Sequence, residues 1–548
     1  MACRDKQGGD GSEKGAGAGK EQHTKMELNL FFEGVDSCHG FQSEMLRRVD
    51  RILPIHTCVI TTKCSDGKDV YEDKYTCVDY NVCEHNRYDE FYDRNALLPL
   101  SRELLEAMIP YESTAMQMLV RNFERHLYTM DESKRFYLDH LRFWNHMIVT
   151  KRINYICFSN IPHHCHDYVI YALGRVYGIP MSFCSDTSIP PRLAYCTDME
   201  NMWENTYEKY LSYRGEEEIT LPEDLEHYYQ ALRHKNEGLD DKAVHRGMTK
   251  KDHIAIRREF FMSYFLRKNV WHRHFSWLKH GLKVSLTEKS MDGIRDGFKK
   301  VRQDKVYLKR GRIKLKSMRD VHYYDNLADR LMPEENEPFI IFFLHLQPEA
   351  TTLPKGGVFV EQELMIEILA AAGVKFGVKL YVKEHFVQPY RNKDFYDRLT
   401  KIENVRLIRS DVDSKELVKR CIATASCNGT VLLESMFNGI PTFIFGDTPF
   451  RNGPGVFYVG SVEECETVMR DILDGKVSLS EHDARAELKA FGDSSFLGYF
   501  DASNYEKKGV LSEEEGLAGY VDYVVRSVRG QLEEAGRCTW ELEKRYDS

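Results

Sequence analysis

The sequence predicts an α/β protein with a parallel sheet in each half, and three patterns predict it. Strand-like and helix-like runs alternate regularly from Pro338 to about residue 447. A strand–helix–strand unit stands in the first half, between INYICFSN and MSFCSD. Glycines follow helix-like runs in both halves, as in ALGRVYGIP and SMFNGIP.

Taken in order, residues 1 to about 25 are rich in Gly, Lys and Glu and poor in large apolar residues. Such a stretch buries too little surface to order itself, so a disordered tail is expected. ELNLFFEG, from Met26, reads as the first strand, with a helix near Ser43 to Asp50 and a second strand in ILPIHTCVITT. RELLEAMI and MQMLVRNFERHL carry apolar residues three and four apart, the spacing of one helix face. INYICFSN is a strand, and the helix after it stops at Gly178. Residues 26–195 thus form an α/β domain.

Residues 196–242 are acidic and helical. Residues 246–319 reverse the sign, with 22 Lys or Arg against 6 Asp or Glu and interleaved aromatics, as in WHRHFSWLKH. This region, 196–335, reads as a helical connector. Its basic part is either a solvated face or a surface for phosphate-bearing partners or anionic lipid headgroups. From Pro338, five strands (PFIIFFLHL, VKLYVKEH, NVRLIR, CIATASC and PTFIFG) alternate with helices, the first of which closes at Gly373. A doubly wound, Rossmann-like sheet over 336–475 follows. After Ser461 the chain reads as mostly helical, and 476–548 as a helical C-terminal segment.

The chain has 548 residues, of which 42% are hydrophobic, enough for two or three domains. A net charge of −9 excludes nucleic-acid character for the whole molecule. No apolar run reaches the roughly 18 to 20 residues of a membrane span. With no leader visible and cysteines scattered through apolar runs, a reducing cytoplasm is expected.

In doubly wound sheets, ligands bind at the carboxyl ends of strands. Three such ends here are rich in polar groups. One runs from His345 through Gln347 and Glu349. A second is Lys383-Glu384-His385, where Lys383 and His385 point the same way and suit phosphate oxygens, and His385 could protonate a departing phosphate as a catalytic acid. The third is Asn428-Gly429-Thr430, before a helix that carries Glu434. Helix starts expose unpaired N–H groups, Gly429 admits a phosphate close to the backbone, Thr430 adds a hydroxyl, and Glu434 suits a ribose hydroxyl. Plain alternatives stand beside each: Asn428 as a simple cap, Glu434 as a solvated carboxylate, His385 as a structural histidine. His163-His164-Cys165-His166 lacks the spacing of a metal site, and none is expected.

The ordered run HLQPEATTLP, LYVKEH, NV-x-LI and SCNGTVLLESMFNGIPTFIFG resembles the bacterial capsule and surface-polysaccharide biosynthesis family, which includes the Kdo transferases of capsule assembly. The resemblance covers residues 338 to about 457. It extends more weakly to IPHHCHDYVIYALGRVYGI and SIPPRLAY. Phe386 departs from the family's Lys-Glu-His-Pro.

The resemblance implies a GT-B fold, two Rossmann-like domains facing across a cleft, with the donor held by the second. It implies a glycosyltransferase using a CMP-Kdo-like or related nucleotide-sugar, and a glycan or lipid-linked acceptor. Catalysis would need no metal and no cofactor beyond the donor itself, with Lys383, His385 and the helix start at Gly429 and Thr430 neutralising the leaving phosphate. The first half would supply the catalytic base or nucleophile, from His163, Asp167 or Asp186. Asp167 reads equally as a helix cap. A polyol-phosphate (CDP-glycerol-type) transferase and a non-catalytic glycan or nucleotide binder are the alternatives. An anionic membrane at the inner face of the cell is the candidate partner of 246–319.

Overall fold

The computed structural model describes residues 27–37, 40–64, 73–84, 86–90, 92–119, 129–187, 189, 191–199, 203–233, 268–288, 291–303, 323–328, 332–347, 349–385, 391, 393–410, 412–499 and 511–535. The expected tail at 1–25, the basic stretches 246–267 and 304–319, and Phe386 lie outside them.

Among the described residues the strands form two sheets. The first holds β1 (Leu28–Ser37), β2 (Ile55–Cys64), β3 (Tyr75–Asp79), β4 (Tyr155–Phe158), β5 (Met181–Asp186) and β6 (Arg192–Cys196), with β13 (Ser495–Leu497) added at its edge. Its order is β13-β6-β5-β4-β1-β2-β3. The strands from β3 to β5 are parallel, whereas β6 runs antiparallel to β5, and β13 to β6. The second sheet holds β7 (Phe339–Phe343), β8 (Lys379–Lys383), β9 (Val405–Ile408), β10 (Ala423–Ser426), β11 (Thr442–Ile444) and β12 (Val456–Tyr458), in the order β12-β11-β10-β7-β8-β9 and all parallel.

Both sheets are therefore doubly wound, and in each the strand order reverses beside the first strand: between β1 and β4, and between β7 and β10. The pair forms a GT-B-like architecture. Continuous apolar strands such as FIIFF fit burial on both faces. Alternate residues of β1 take opposite faces. Phe31 packs with Trp144 and Val169, while Leu30 and Phe32 pack with Phe41, Met45 and Tyr520.

The carboxyl edges of the two sheets meet. Lys355, in the loop after β7, donates from Nζ to Ser185 Oγ of β5 at 3.3 Å. Leu353 of that loop is buried in the core of the first domain. Asp447, just after β11, donates its N–H to the Lys355 carbonyl at 2.7 Å.

Several elements differ from the sequence reading. The helix over Gln362–Phe376 ends at Gly377, whose φ of 67° is the left-handed cap, not at Gly373. Gly373 answers to packing instead: a Cβ there would lie 2.6 Å from the Val378 carbonyl. The second sheet has six strands where five were read, because β12 is only three residues long. The C-terminal region is helical at Val462–Leu473, Glu481–Asp493 and Glu513–Ala535, but it also contains β13. It returns to the first domain, where Gln531 Nε2 donates to the Met181 carbonyl at 2.8 Å.

Candidate active site at two switch points

At the C-terminal switch point, β7 delivers His345 and β10 delivers Ser426 through Gly429. The His345 ring lies across the start of the helix Thr430–Phe437. Its Nε2 accepts the Asn428 N–H at 3.4 Å and sits 2.8 Å from Ser426 Oγ. An amide can only donate, so Nε2 is the lone-pair nitrogen. Burial, with the charges of His385 and Arg391, pushes His345 down to about 3. Gly429 is what admits the ring, since a Cβ there would fall 2.5 Å from His345 Cε1. Its φ of 161° is extended backbone, so space and not conformation calls for glycine. The open side of Gly429 thus faces an imidazole.

Beside it, β8 ends at Lys383. The buried Lys383 ammonium donates to the Ser410 carbonyl at 2.9 Å, toward the end of β9. Glu384 is buried and accepts from Tyr396 Oη at 2.6 Å. It also holds Arg391, whose Nε lies 3.0 Å from Glu384 Oε2. Burial raises the Glu384 carboxyl, opposed by Arg391 and Tyr396. His385 is mostly buried and pushed down to about 4 by that burial and by Arg391, while Glu349 pulls the other way. His385 is therefore a neutral imidazole at pH 7, and it acts as an acid only if a bound anion raises it.

Arg391 is the group the sequence reading missed. Only 8% of it is exposed. Nη2 donates to the His345 carbonyl at 2.7 Å, and Nη1 is buried with no hydrogen-bond partner among the described residues. A guanidinium stays charged, so a buried donor left over among neutral imidazoles calls for an acceptor oxygen. No local motif marks it; it follows Lys-Glu-His by six residues and is brought in by Glu384.

The other expected residues fall around this centre. Glu349 accepts from Thr351 Oγ1 at 2.6 Å, and its charge reaches His385. Gln347 is buried, donating to Glu361 and accepting from Gln362, each at 3.2 Å. Asn428 is committed to bracing, its Nδ2 donating to the Asp447 carbonyl at 3.0 Å. Thr430 is the first residue of its helix; its side chain lies outside the described residues. Glu434, half-buried, sits near the helix Glu223–Arg233, where its charge adds to burial in pushing up the Tyr228 hydroxyl.

The N-terminal switch point is acidic. Glu33 of β1 is buried and accepts from Ser159 Oγ at 3.3 Å and the Asn160 N–H at 3.4 Å. Burial, then the charge of Asp167, holds it well above the ordinary carboxyl range. Asp167 is fully buried in the first turn of the helix Cys165–Tyr177. Its Oδ1 accepts the His164 N–H at 2.7 Å and its Oδ2 the His163 N–H at 3.2 Å. It is a cap, the plainer of its two readings. His163 Nδ1 lies 2.6 Å from the Ile161 carbonyl, which makes Nδ1 the protonated nitrogen and Nε2 the basic one. His164 Nδ1 meets Tyr80 Oη at 2.9 Å.

The donor atoms of His163, His164 and Asp167 lie within 4.8 Å of one another, close enough for a cation. Both Asp167 oxygens cap amides, however, and His163 Nδ1 faces a carbonyl, so this cluster is built as a helix start. Asp186 ends β5, its backbone opposite Leu193; its side chain lies outside the described residues. Between the two edges stands Asp447, a further carboxyl not foreseen. Burial pushes it up to about 6, against Arg451 and Lys355.

No family model matches the chain, and no curated protein does. Among solved structures it is similar to the UDP-GlcNAc 2-epimerase of Methanocaldococcus jannaschii, at 10% identity over 85% of this chain and 99% of that one, with a TM-score of 0.24. It is similar to Thermosulfurimonas dismutans KpsC, a beta Kdo 2,4 transferase, at 15% identity over 32% of this chain and 55% of that one, with a TM-score of 0.21. Os79 from O. sativa, in complex with UDP and deoxynivalenol-3-glucoside, matches at 10% identity over 90% and 99% of the two chains, with a TM-score of 0.23. Likenesses this distant carry no activity across; the strand orders themselves define the fold.

Proposed function

We propose that the protein is a glycosyltransferase that takes its sugar from a nucleotide-activated donor. The observation that carries this is the buried, incompletely bonded guanidinium of Arg391 at the C-terminal switch point, beside His345, His385 and a helix start. Phosphate oxygens would complete its bonds and bring His385 into its charged form. Protein donors then stabilise the charge that develops as the nucleoside phosphate departs. Across the junction, His163 Nε2 takes the proton of the acceptor hydroxyl, its ring oriented by the Ile161 carbonyl and its backbone N–H held by Asp167. A CMP-Kdo-like donor and a surface-polysaccharide acceptor are the specific form of the proposal.

The test begins with binding. Titrating the purified protein with CMP, CDP and UDP should raise its melting temperature for at least one, and Arg391→Lys should weaken that effect at least tenfold in affinity. Donor hydrolysis is then followed with CMP-Kdo, CMP-sialic acid, UDP-GlcNAc and CDP-glycerol. Binding without turnover of any donor would favour a nucleotide-binding protein that kept the fold. Turnover of CDP-glycerol alone would favour polyol-phosphate transfer. No binding of any nucleotide ends the proposal.

A further inference from the structure

We propose that the helical hairpin formed by Lys268–Glu288 and Asp292–Gln303 seats the protein on an anionic lipid surface through one apolar face.

The two helices cross closely because glycines line the contact. A Cβ on Gly293 would lie 2.5 Å from the Gly281 carbonyl, and one on Gly297 2.9 Å from the Trp277 carbonyl. Ser285 Oγ accepts the Ile294 N–H at 2.8 Å. Contacts that pair 281 with 293, and 277 with 297, run in opposite directions along the chain, so the helices are antiparallel. The contact positions are thus 278, 281 and 285 on one helix and 293 and 297 on the other.

One residue further along a helix is a rotation of about 100°. On the first helix that step reaches Lys279, Leu282 and Leu286, with Phe275 one turn before Lys279 on the same stripe; on the second it reaches Phe298, with Met291 seven residues back at the helix entry. Both helices are right-handed and they run antiparallel, so a forward step turns toward the same side of the hairpin on each. The two apolar stripes therefore share one face. Phe275 is 72% exposed, Leu286 73%, Met291 66%, Phe298 61% and Leu282 49%. An exposed face of five large apolar side chains calls for an occupant.

Its border says which. Lys279, between Phe275 and Leu282, and Lys283 beside the stripe are both exposed, and Arg295 flanks the stripe of the second helix. Over 268–303 there are nine Lys or Arg against three Asp or Glu. Long cationic side chains around an apolar strip are the pattern of a helix lying in a membrane interface, stems along the acyl boundary and charges among anionic headgroups. A second copy of the hairpin would set one cationic rim against another. Among the described residues no helix is long and apolar enough to cross a membrane, so the contact is peripheral.

The test is flotation of the full chain with vesicles of phosphatidylcholine alone and of phosphatidylcholine with phosphatidylglycerol. We expect at least about tenfold more protein bound to the anionic vesicles. The variant Phe275→Ser/Leu286→Ser/Phe298→Ser should lose about as much, with circular dichroism and nucleotide binding unchanged. Lys283→Glu/Arg295→Glu, which leaves the apolar face intact, should erase the preference for anionic vesicles. Equal binding to both vesicles, or full binding by the triple variant, overturns the proposal. So does a triple variant that turns a dimer into a monomer in sedimentation without altering vesicle binding.

Discussion

The two switch points share a topology and carry opposite chemistry. Where β1 and β4 part stand two buried carboxyls, Glu33 and Asp167; where β7 and β10 part stand two largely buried imidazoles, His345 and His385, and the buried guanidinium of Arg391 with its Glu384 partner. Burial acts on both in the same sense, against charge. It lifts Glu33 and lowers His345 and His385, so each is pushed toward its neutral form. Arginine alone has no neutral form to adopt. Hence Arg391 keeps its charge, recruits Glu384, and still has a donor to offer. A repeated fold supplies two topologically equivalent switch points, and the residue types at the strand tips set the chemistry of each.

Breaking the cationic side should have the largest effect. Arg391→Met leaves Glu384 buried without its cation, so stability should fall by about 3–5 kcal/mol in urea titrations, with nucleotide binding lost. Adding Glu384→Gln should restore much of the stability and none of the binding; recovery of both would make the pair purely structural. On the other side, His163→Gln should lower donor turnover by about 10²–10⁴-fold while nucleotide affinity holds. A parallel fall in affinity would remove His163 from catalysis.

Gly429→Ala tests the contact between helix start and imidazole. A methyl group cannot share space with the His345 ring, and a loss of about 1–3 kcal/mol is expected. His345→Ala in the same chain should relieve part of it.

The smallest effects should appear as pH slopes of opposite sign. His345 and His385 bind fewer protons folded than unfolded below their ordinary 6.5, so their share of stability falls as pH drops from there toward 4. Glu33 keeps a proton that the unfolded chain releases above 4.5, so its share falls as pH rises from that point. Denaturant midpoints across pH 4.5 to 7.5 should show His345→Gln flattening the acid limb and Glu33→Gln the neutral one. If the two variants flatten the same limb, the contrast between the switch points fails.

Long apolar strands and well-capped helices were legible one by one. FIIFF and KLYVK announce buried parallel strands, and Gly178, at a φ of 68°, ends its helix as its position suggested. Short strands were not: β12 and β13 have three residues each, too few for a period to appear. Neither was the assignment of β13 and the helix Glu513–Ala535 to the first domain, since pairing partners hundreds of residues away leave no local mark. The site divided in the same way. The strand-tip residues stand in recognisable runs, whereas Arg391 and Glu33 are ordinary charges until burial gives them consequence.

By itself the sequence determined the alternation of strands and helices, the polar strand tips, and the sign of the charge along the connector, because these depend only on neighbours a few residues apart. The tertiary structure decided which tips meet, that Gly429 opens onto an imidazole, that Arg391 is buried with a donor to spare, and that the hairpin's apolar stripes share one face. Each of these follows from distances between residues remote in the chain and from the removal of water around them, and neither is encoded in any single stretch.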